Sequence, residues 1–116
     1  MVHGLNFILV HVPSVADAIP FYTETLGLEI EDRQPGFVQF KAGPGAANYA
    51  LSEGEGEPIE LWWFVADAEA ARSELAQSGA GEISPIKDMP FGRVFTTRDP
   101  FGRTLYMLEL RQPQGA

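Results

Sequence analysis

The chain has 116 residues, 45% hydrophobic and 21% charged, the balance of an ordinary soluble domain with a core large enough to dispense with disulfide staples. It holds no Cys, which excludes thiolate metal sites, thiol nucleophiles and disulfide frameworks. Its 16 acidic residues against 8 basic ones leave a net charge of −8, which repels phosphate backbones and anionic lipid, so nucleic acid and membrane are not expected partners, while a cationic small molecule would be attracted.

The longest apolar run, Leu61 to Ala66, falls far short of the roughly 18 residues a membrane helix needs. The N-terminus shows no basic region followed by an apolar stretch and a small-residue cleavage site, so a cytoplasmic address is expected.

Leu5 to Val12 reads as a strand, apolar apart from Asn6 and His11 and closed by Pro13 and Ser14. A helix follows: Ser14 is an N-cap with Asp17 three residues on, and Val15, Ala18, Ile19 and Tyr22 recur at helical spacing. Pro20 costs energy inside it, and Gly27 supplies the left-handed position that ends it. Strands are expected at Leu28 to Asp32, Phe37 to Lys41 and Asn48 to Ser52, parted by turns at Gln34-Pro35-Gly36 and Ala42-Gly43-Pro44-Gly45. Glu53 to Pro58 carries no apolar residue and reads as a solvated linker.

The pattern then restarts. Ile59 to Val65 is a strand, and Asp67 caps a helix that turns Ala68, Ala71 and Leu75 inward and ends at Ser78-Gly79. Short strands are expected at Glu82 to Ser84, Arg93 to Thr97 and Thr104 to Leu110, with Asp99-Pro100-Phe101-Gly102 as the turn between the last two and Gln112 to Ala116 as a fraying tail. The two halves superpose in sequence. Ile8 to Ser14 lies over Leu61 to Asp67 at an offset of 53, and Gly36 to Leu51 lies over Arg93 to Leu108 at an offset of 57, which pairs Gly45 with Gly102 and Tyr49 with Tyr106. This is an internal duplication of a βαβββ unit.

With Phe21-Tyr22 before Leu26-Gly27-Leu28, Ile59-Glu60-Leu61-Trp62 before Val65-Ala66-Asp67, and Phe91-Gly92-Arg93-Val94 before Asp99-Pro100-Phe101-Gly102, the chain resembles the vicinal oxygen chelate superfamily. That group contains glyoxalase I, extradiol dioxygenases, and the fosfomycin and bleomycin resistance proteins. The resemblance covers Leu5 to Leu110. It implies an α+β fold in which two tandem βαβββ modules form a curved mixed-sheet cup. The whole of 1–116 is then a single domain, with module one at about 5–52, the linker at 53–58 and module two at about 59–110.

In metal-dependent relatives, slots on the first and last strand of each module hold a divalent ion. Carried onto this sequence, those slots fall on Phe7, Tyr49, Glu60 and Tyr106. Only Glu60 suits a hard or borderline cation, because Phe offers no donor and a phenol has a pKa near 10; no metal and no cofactor is therefore expected. His11 shares a face with Phe7, but a His11–Glu60 metal site would need a third donor, and His3 could approach only by a backbone rearrangement. His11 reads equally as a satisfied imidazole.

Alternation puts Phe7, Leu9 and His11 on one face, with Glu60, Trp62 and Phe64, and then Thr104, Tyr106 and Leu108, on the matching faces of their strands. The expected ligand contacts are Phe7, His11, Tyr49, Glu60, Trp62 and Tyr106, an aromatic wall with one carboxylate, unless these rings merely fill the core. A non-binding role for Glu60 would require a partner such as Arg93 or Arg103. Otherwise both arginines read as surface groups, and Phe91-Gly92 and Asp99 to Gly102 as turns.

These residues imply a metal-independent binding protein for a small molecule, with a cationic aromatic compound or antibiotic as one candidate, in a homodimer. The alternative is a glyoxalase-type lyase, isomerase or dioxygenase in which Glu60, with His11 and Tyr106, holds a metal or acts as general base. A partner-binding module ranks last, since no peptide-recognition signature is present, and no catalytic residue is assigned.

Overall fold

The computed structural model describes residues 2–54 and 57–111, with side chains from Gly4 onward. Glu55 and Gly56 of the expected linker, the expected frayed tail and the side chain of His3 lie outside the described residues. The chain divides into two compact units, Asn6–Glu60 and Leu61–Ala116 with Met1–Leu5. No helix among the described residues is long and apolar enough to cross a membrane.

The first module runs β1 (Val2–Val12), α1 (Val15–Pro20), β2 (Ile30–Gln34), β3 (Phe37–Phe40), β4 (Asn48–Glu53). Its strands lie in the order β2-β3-β4-β1, parallel between β1 and β4 and antiparallel elsewhere. Ser14 caps α1 as its position suggests, its hydroxyl accepting from the Asp17 amide at 3.2 Å. Pro20 does not end the helix but changes its winding. It supplies no N–H, and the chain continues as a π-helical stretch, Phe21–Thr25, in which Leu26 N donates to Phe21 O at 3.0 Å. Leu28 N then donates to Tyr22 O at 2.9 Å across Gly27, whose φ of +76° only glycine adopts without strain.

The second module runs β5 (Ile59–Val65), α2 (Ala68–Gln77), β6 (Lys87–Met89), β7 (Gly92–Arg98), β8 (Thr104–Leu110). Ile59 and Glu60 at the start of β5 belong to the first unit. Its order is β5-β8-β7-β6, with β5 and β8 parallel. The strand expected at Glu82 to Ser84 is only a single bridge, Ile83 to Thr97. Pro85 has no N–H to extend the ladder, and pairing resumes at Lys87.

Each module therefore repeats one α+β unit, and each packs its helix on one sheet face. In the first, Val15, Ile19, Val38, Phe40 and Leu51 form the core, with Val10, Val12, Tyr22 and Tyr49 against it. In the second, Val65, Ala68, Ala71, Phe95 and Met107 do so, with Trp63 and Leu105.

The duplication carries a one-residue slip that the sequence match conceals. Val38 pairs with Leu51, whereas its counterpart Phe95 pairs with Met107, so the connection between the last two strands is one residue longer in module one. Leu51 therefore corresponds to Met107, and Ala50, not Tyr49, corresponds to Tyr106. A repeated contact fixes the same alignment. Glu53 Oε1 accepts from Val15 N at 2.8 Å, and Glu109 Oε1 accepts from Ala68 N at 2.8 Å. In each module a glutamate at or next to the end of the last strand thus satisfies the first free amide of the helix.

Candidate functional site

On the face of the first sheet away from α1, β1 presents Phe7, Leu9 and His11, beside Asn48, Ala50 and Ser52 of β4. This face mixes apolar and polar side chains, with Asn48 Nδ2 donating to Asn6 O at 3.2 Å and Gln39 Nε2 to Asn48 Oδ1 at 3.4 Å. At its end His11 meets Glu60. His11 N donates to Pro58 O at 2.9 Å, which anchors the segment entering β5, and His11 Nε2 lies 2.6 Å from Glu60 Oε2. Both side chains are only 14% exposed. A carboxylate can only accept, so we assign the proton to Nε2. His11 Nδ1 is buried and has no hydrogen-bond partner among the described residues.

Glu60 thus has a partner other than the arginines the sequence suggested. Arg93 binds Glu69 at 2.9 Å. The backbone amide of Arg103 donates to Asp99 Oδ1 at 2.9 Å, in a turn where the Phe101 amide does the same at 2.8 Å and Gly102 takes a φ of +88°. Those amides hold the Asp99 carboxyl below its usual pKa, the Arg103 amide contributing most. The Asp99 carboxylate is thus occupied in making the turn.

Tyr49 is placed differently from the sequence expectation. It lies in register with Ile8 of β1 and on the same side as Leu51, packed in the helix-side core, opposite to Phe7 and His11. A strand has a period of two, so the slip turns this side chain to the other face of the sheet. Its hydroxyl is 3.1 Å from that of Tyr22, and its ring stacks at 6.2 Å on Phe40. Burial first, and then the hydrogen bond with Tyr22, push the Tyr49 phenol up to about 12 from its ordinary 10.0.

A measurable consequence follows for the 3 tyrosines of the chain. Absorbance titration should show one phenol ionising near pH 12. Its folded pKa lies above its unfolded value, so the stability it contributes is complete below pH 10 and is lost as pH rises toward 12. Tyr49→Phe should remove the late phenol. A variant that keeps it would show that another tyrosine is responsible.

The second module carries its own aromatic face. Trp62 and Tyr106 lie side by side in the parallel register of β5 and β8, their rings stacked at 4.6 Å and inclined by 14°. Phe91 meets Trp62 edge-on at 6.0 Å. Beside them Lys87, Met89, Val94 and Thr96 help to line a hollow of about 220 Å³. Trp63, one residue on from Trp62, points into the core under α2.

These residues do not fit the metal centre implied by the family resemblance. Among the described residues no three His, Asp or Glu side chains lie close enough to hold an ion. The two that meet, His11 and Glu60, are hydrogen-bonded at 2.6 Å. Neighbouring ligands of one ion at about 2.1 Å in octahedral geometry would stand roughly 3.0 Å apart.

The comparisons agree with this architecture. A structure of a glyoxalase/bleomycin resistance protein/dioxygenase superfamily member from Vibrio splendidus 12B01 superposes with a TM-score of 0.73 at 18% identity, covering 89% of this chain and 97% of that one. Methylmalonyl-CoA epimerase from Mycobacterium tuberculosis gives 0.71 at 19% identity, covering 96% and 90%. An extradiol ring-cleaving dioxygenase from B. fuscum gives 0.73 at 17%, covering 96% of this chain but only 33% of the larger enzyme. At these identities the likeness is one of fold. A search of curated protein sequences found no significant match. The profile that describes the Glyoxalase/Bleomycin resistance protein/Dioxygenase superfamily matches residues 4–107, and with nearly the whole chain covered, this protein belongs to that superfamily.

Proposed function

We propose that the protein binds a flat organic small molecule without a metal ion, and that module two holds it against Trp62 and Tyr106. The observation that carries this reading is the Trp62–Tyr106 stack at 4.6 Å beside the hollow of about 220 Å³. The two rings, stacked in nearly parallel planes, form a rigid apolar pile whose uncovered face and edges lose little entropy when a third ring is added. Pockets for drug-sized ligands enclose about 300–1,000 Å³, so this smaller hollow suits a compound of about one ring. Of the residues expected to contact ligand, Trp62 and Tyr106 carry the proposal. Phe7 lies on the face of the first sheet away from α1, His11 and Glu60 hold each other, and Tyr49 serves the core.

A thermal-shift and tryptophan-fluorescence screen of one-ring aromatic compounds tests the reading. Trp62→Leu should weaken any hit at least tenfold, about 1.4 kcal/mol, while leaving the fold intact. Unchanged affinity in that variant would discard the site. Stoichiometric Ni, Zn, Fe or Mn retained through a mild chelator wash would discard metal independence. The proposed assembly is a homodimer, supported by exposed Phe21 and Leu26 on the first unit and Met89, Phe91 and Leu110 on the second. Light scattering checks it.

One observation favours a second reading, a glyoxalase-type lyase or isomerase. In the His11–Glu60 pair the carboxylate orients an imidazole whose Nδ1 has no hydrogen-bond partner among the described residues. Turnover of a thiol-conjugated aldehyde, abolished by Glu60→Gln, would decide for it.

A further inference from the structure

From the polar lining of the hollow we infer that the ligand of module two is an anionic aromatic compound, one ring bearing a carboxylate, with Lys87 as its counter-charge. This rests on the reading that Trp62 and Tyr106 form the binding wall. Although the protein carries a net charge of −8, Lys87 is the one charged group among the described residues lining the hollow. β6 alternation separates the charges. Lys87 pairs in register with Val94 on the open face, whereas Asp88 pairs with Arg93 on the helix side and is bound by Arg111 at 2.6 Å. Other acids of the module are engaged elsewhere: Glu69 by Arg93 at 2.9 Å, Glu82 by Arg98 at 3.5 Å, and Glu109 by the Ala68 amide. Among the described residues no carboxylate forms an ion pair with Lys87.

One neighbouring hydroxyl is not free to meet a ligand. Ser84 Oγ is already used, donating to Pro85 O at 3.0 Å and accepting from Thr96 N at 2.8 Å. Lys87 adds three N–H donors and no acceptor. A cationic ring would meet like charge here, while a carboxylate would gain a charge-assisted hydrogen bond beside the aromatic wall. The carboxylate expected from the sequence to attract a cation, Glu60, is committed to His11.

Benzoate, benzyl alcohol and benzylamine share a ring and differ in charge, and calorimetric titration of all three at low ionic strength tests the inference. Benzoate should bind at least about tenfold more tightly than benzyl alcohol, and benzylamine most weakly. Lys87→Gln should bring benzoate to the level of benzyl alcohol, Lys87→Glu should invert the order, and added NaCl should erode the preference. Equal affinities, or a preference for benzylamine, with all binding lost in Trp62→Leu, would overturn the charge assignment and leave the aromatic site standing. Benzoate binding unchanged by Trp62→Leu would place the anion elsewhere and overturn the inference. Absence of saturable binding by all three probes would overturn the aromatic site and the inference together.

Discussion

Phe95→Ala should cost about 3–5 kcal/mol, among the largest single losses expected from this chain. Phe95 is 1% exposed and sits among Val65, Ala68, Ala71 and Met107, where α2 packs on its sheet. Removing the ring forfeits its transfer free energy and opens a cavity between helix and strands that are held by backbone hydrogen bonds and cannot close on it. Against a total stability of about 5–15 kcal/mol, that is a large fraction. Urea denaturation should show the midpoint falling with little change in slope. A loss below about 1.5 kcal/mol would mean that the site collapses freely or that the core is not centred there. The same core offers a change of opposite sign. Thr97 is buried and its Oγ1 has no hydrogen-bond partner among the described residues; Thr97→Val, of nearly the same shape, should be neutral or stabilising by up to about 1 kcal/mol.

Why the core was readable and part of the site was not follows from the physics of strands. β5 matches its expected Ile59–Val65 bounds because a short apolar run of β-branched and aromatic residues between turn signals has few other readings. Asp67 and Ser14 cap their helices as expected, since capping is a local hydrogen bond. Tyr49 is the instructive failure. Its likeness to Tyr106, and that of Gly45 to Gly102, made an ungapped match attractive, but one extra residue in a loop turns a side chain through the sheet. A better signal was present in the glutamates. Glu53 ends one last strand and Glu109 stands next to the end of the other, and aligning them through the helix starts at Val15 and Ala68 recovers the correct register. Lys87 was invisible for another reason. β6 is a short, wholly exposed edge strand with no apolar alternation, placed only by its pairing with β7.

Glu60→Leu is the second large effect, and it separates a structural bond from a charge effect. The His11–Glu60 contact spans 49 residues of sequence and is mostly shielded from water. Removing the carboxylate takes the only described partner from Nε2, and Nδ1 already has none. A buried imidazole with neither nitrogen bonded should cost about 2–3 kcal/mol, or roughly 8–12 °C in melting temperature for a chain of this size. Glu60→Gln keeps an acceptor oxygen at nearly the same place and should lose about 1 kcal/mol, the difference between a charged and a neutral hydrogen bond. The double variant Glu60→Leu with His11→Leu should recover much of the loss, because replacing both partners by apolar groups removes the desolvation penalty along with the bond. The coupling energy from that cycle should therefore be large. If Glu60→Leu and Glu60→Gln melt together within 1–2 °C of the parent, the pair contributes little to the fold. The short contact would then have to be explained by chemistry at Nδ1, and turnover in a substrate screen becomes the measurement that decides.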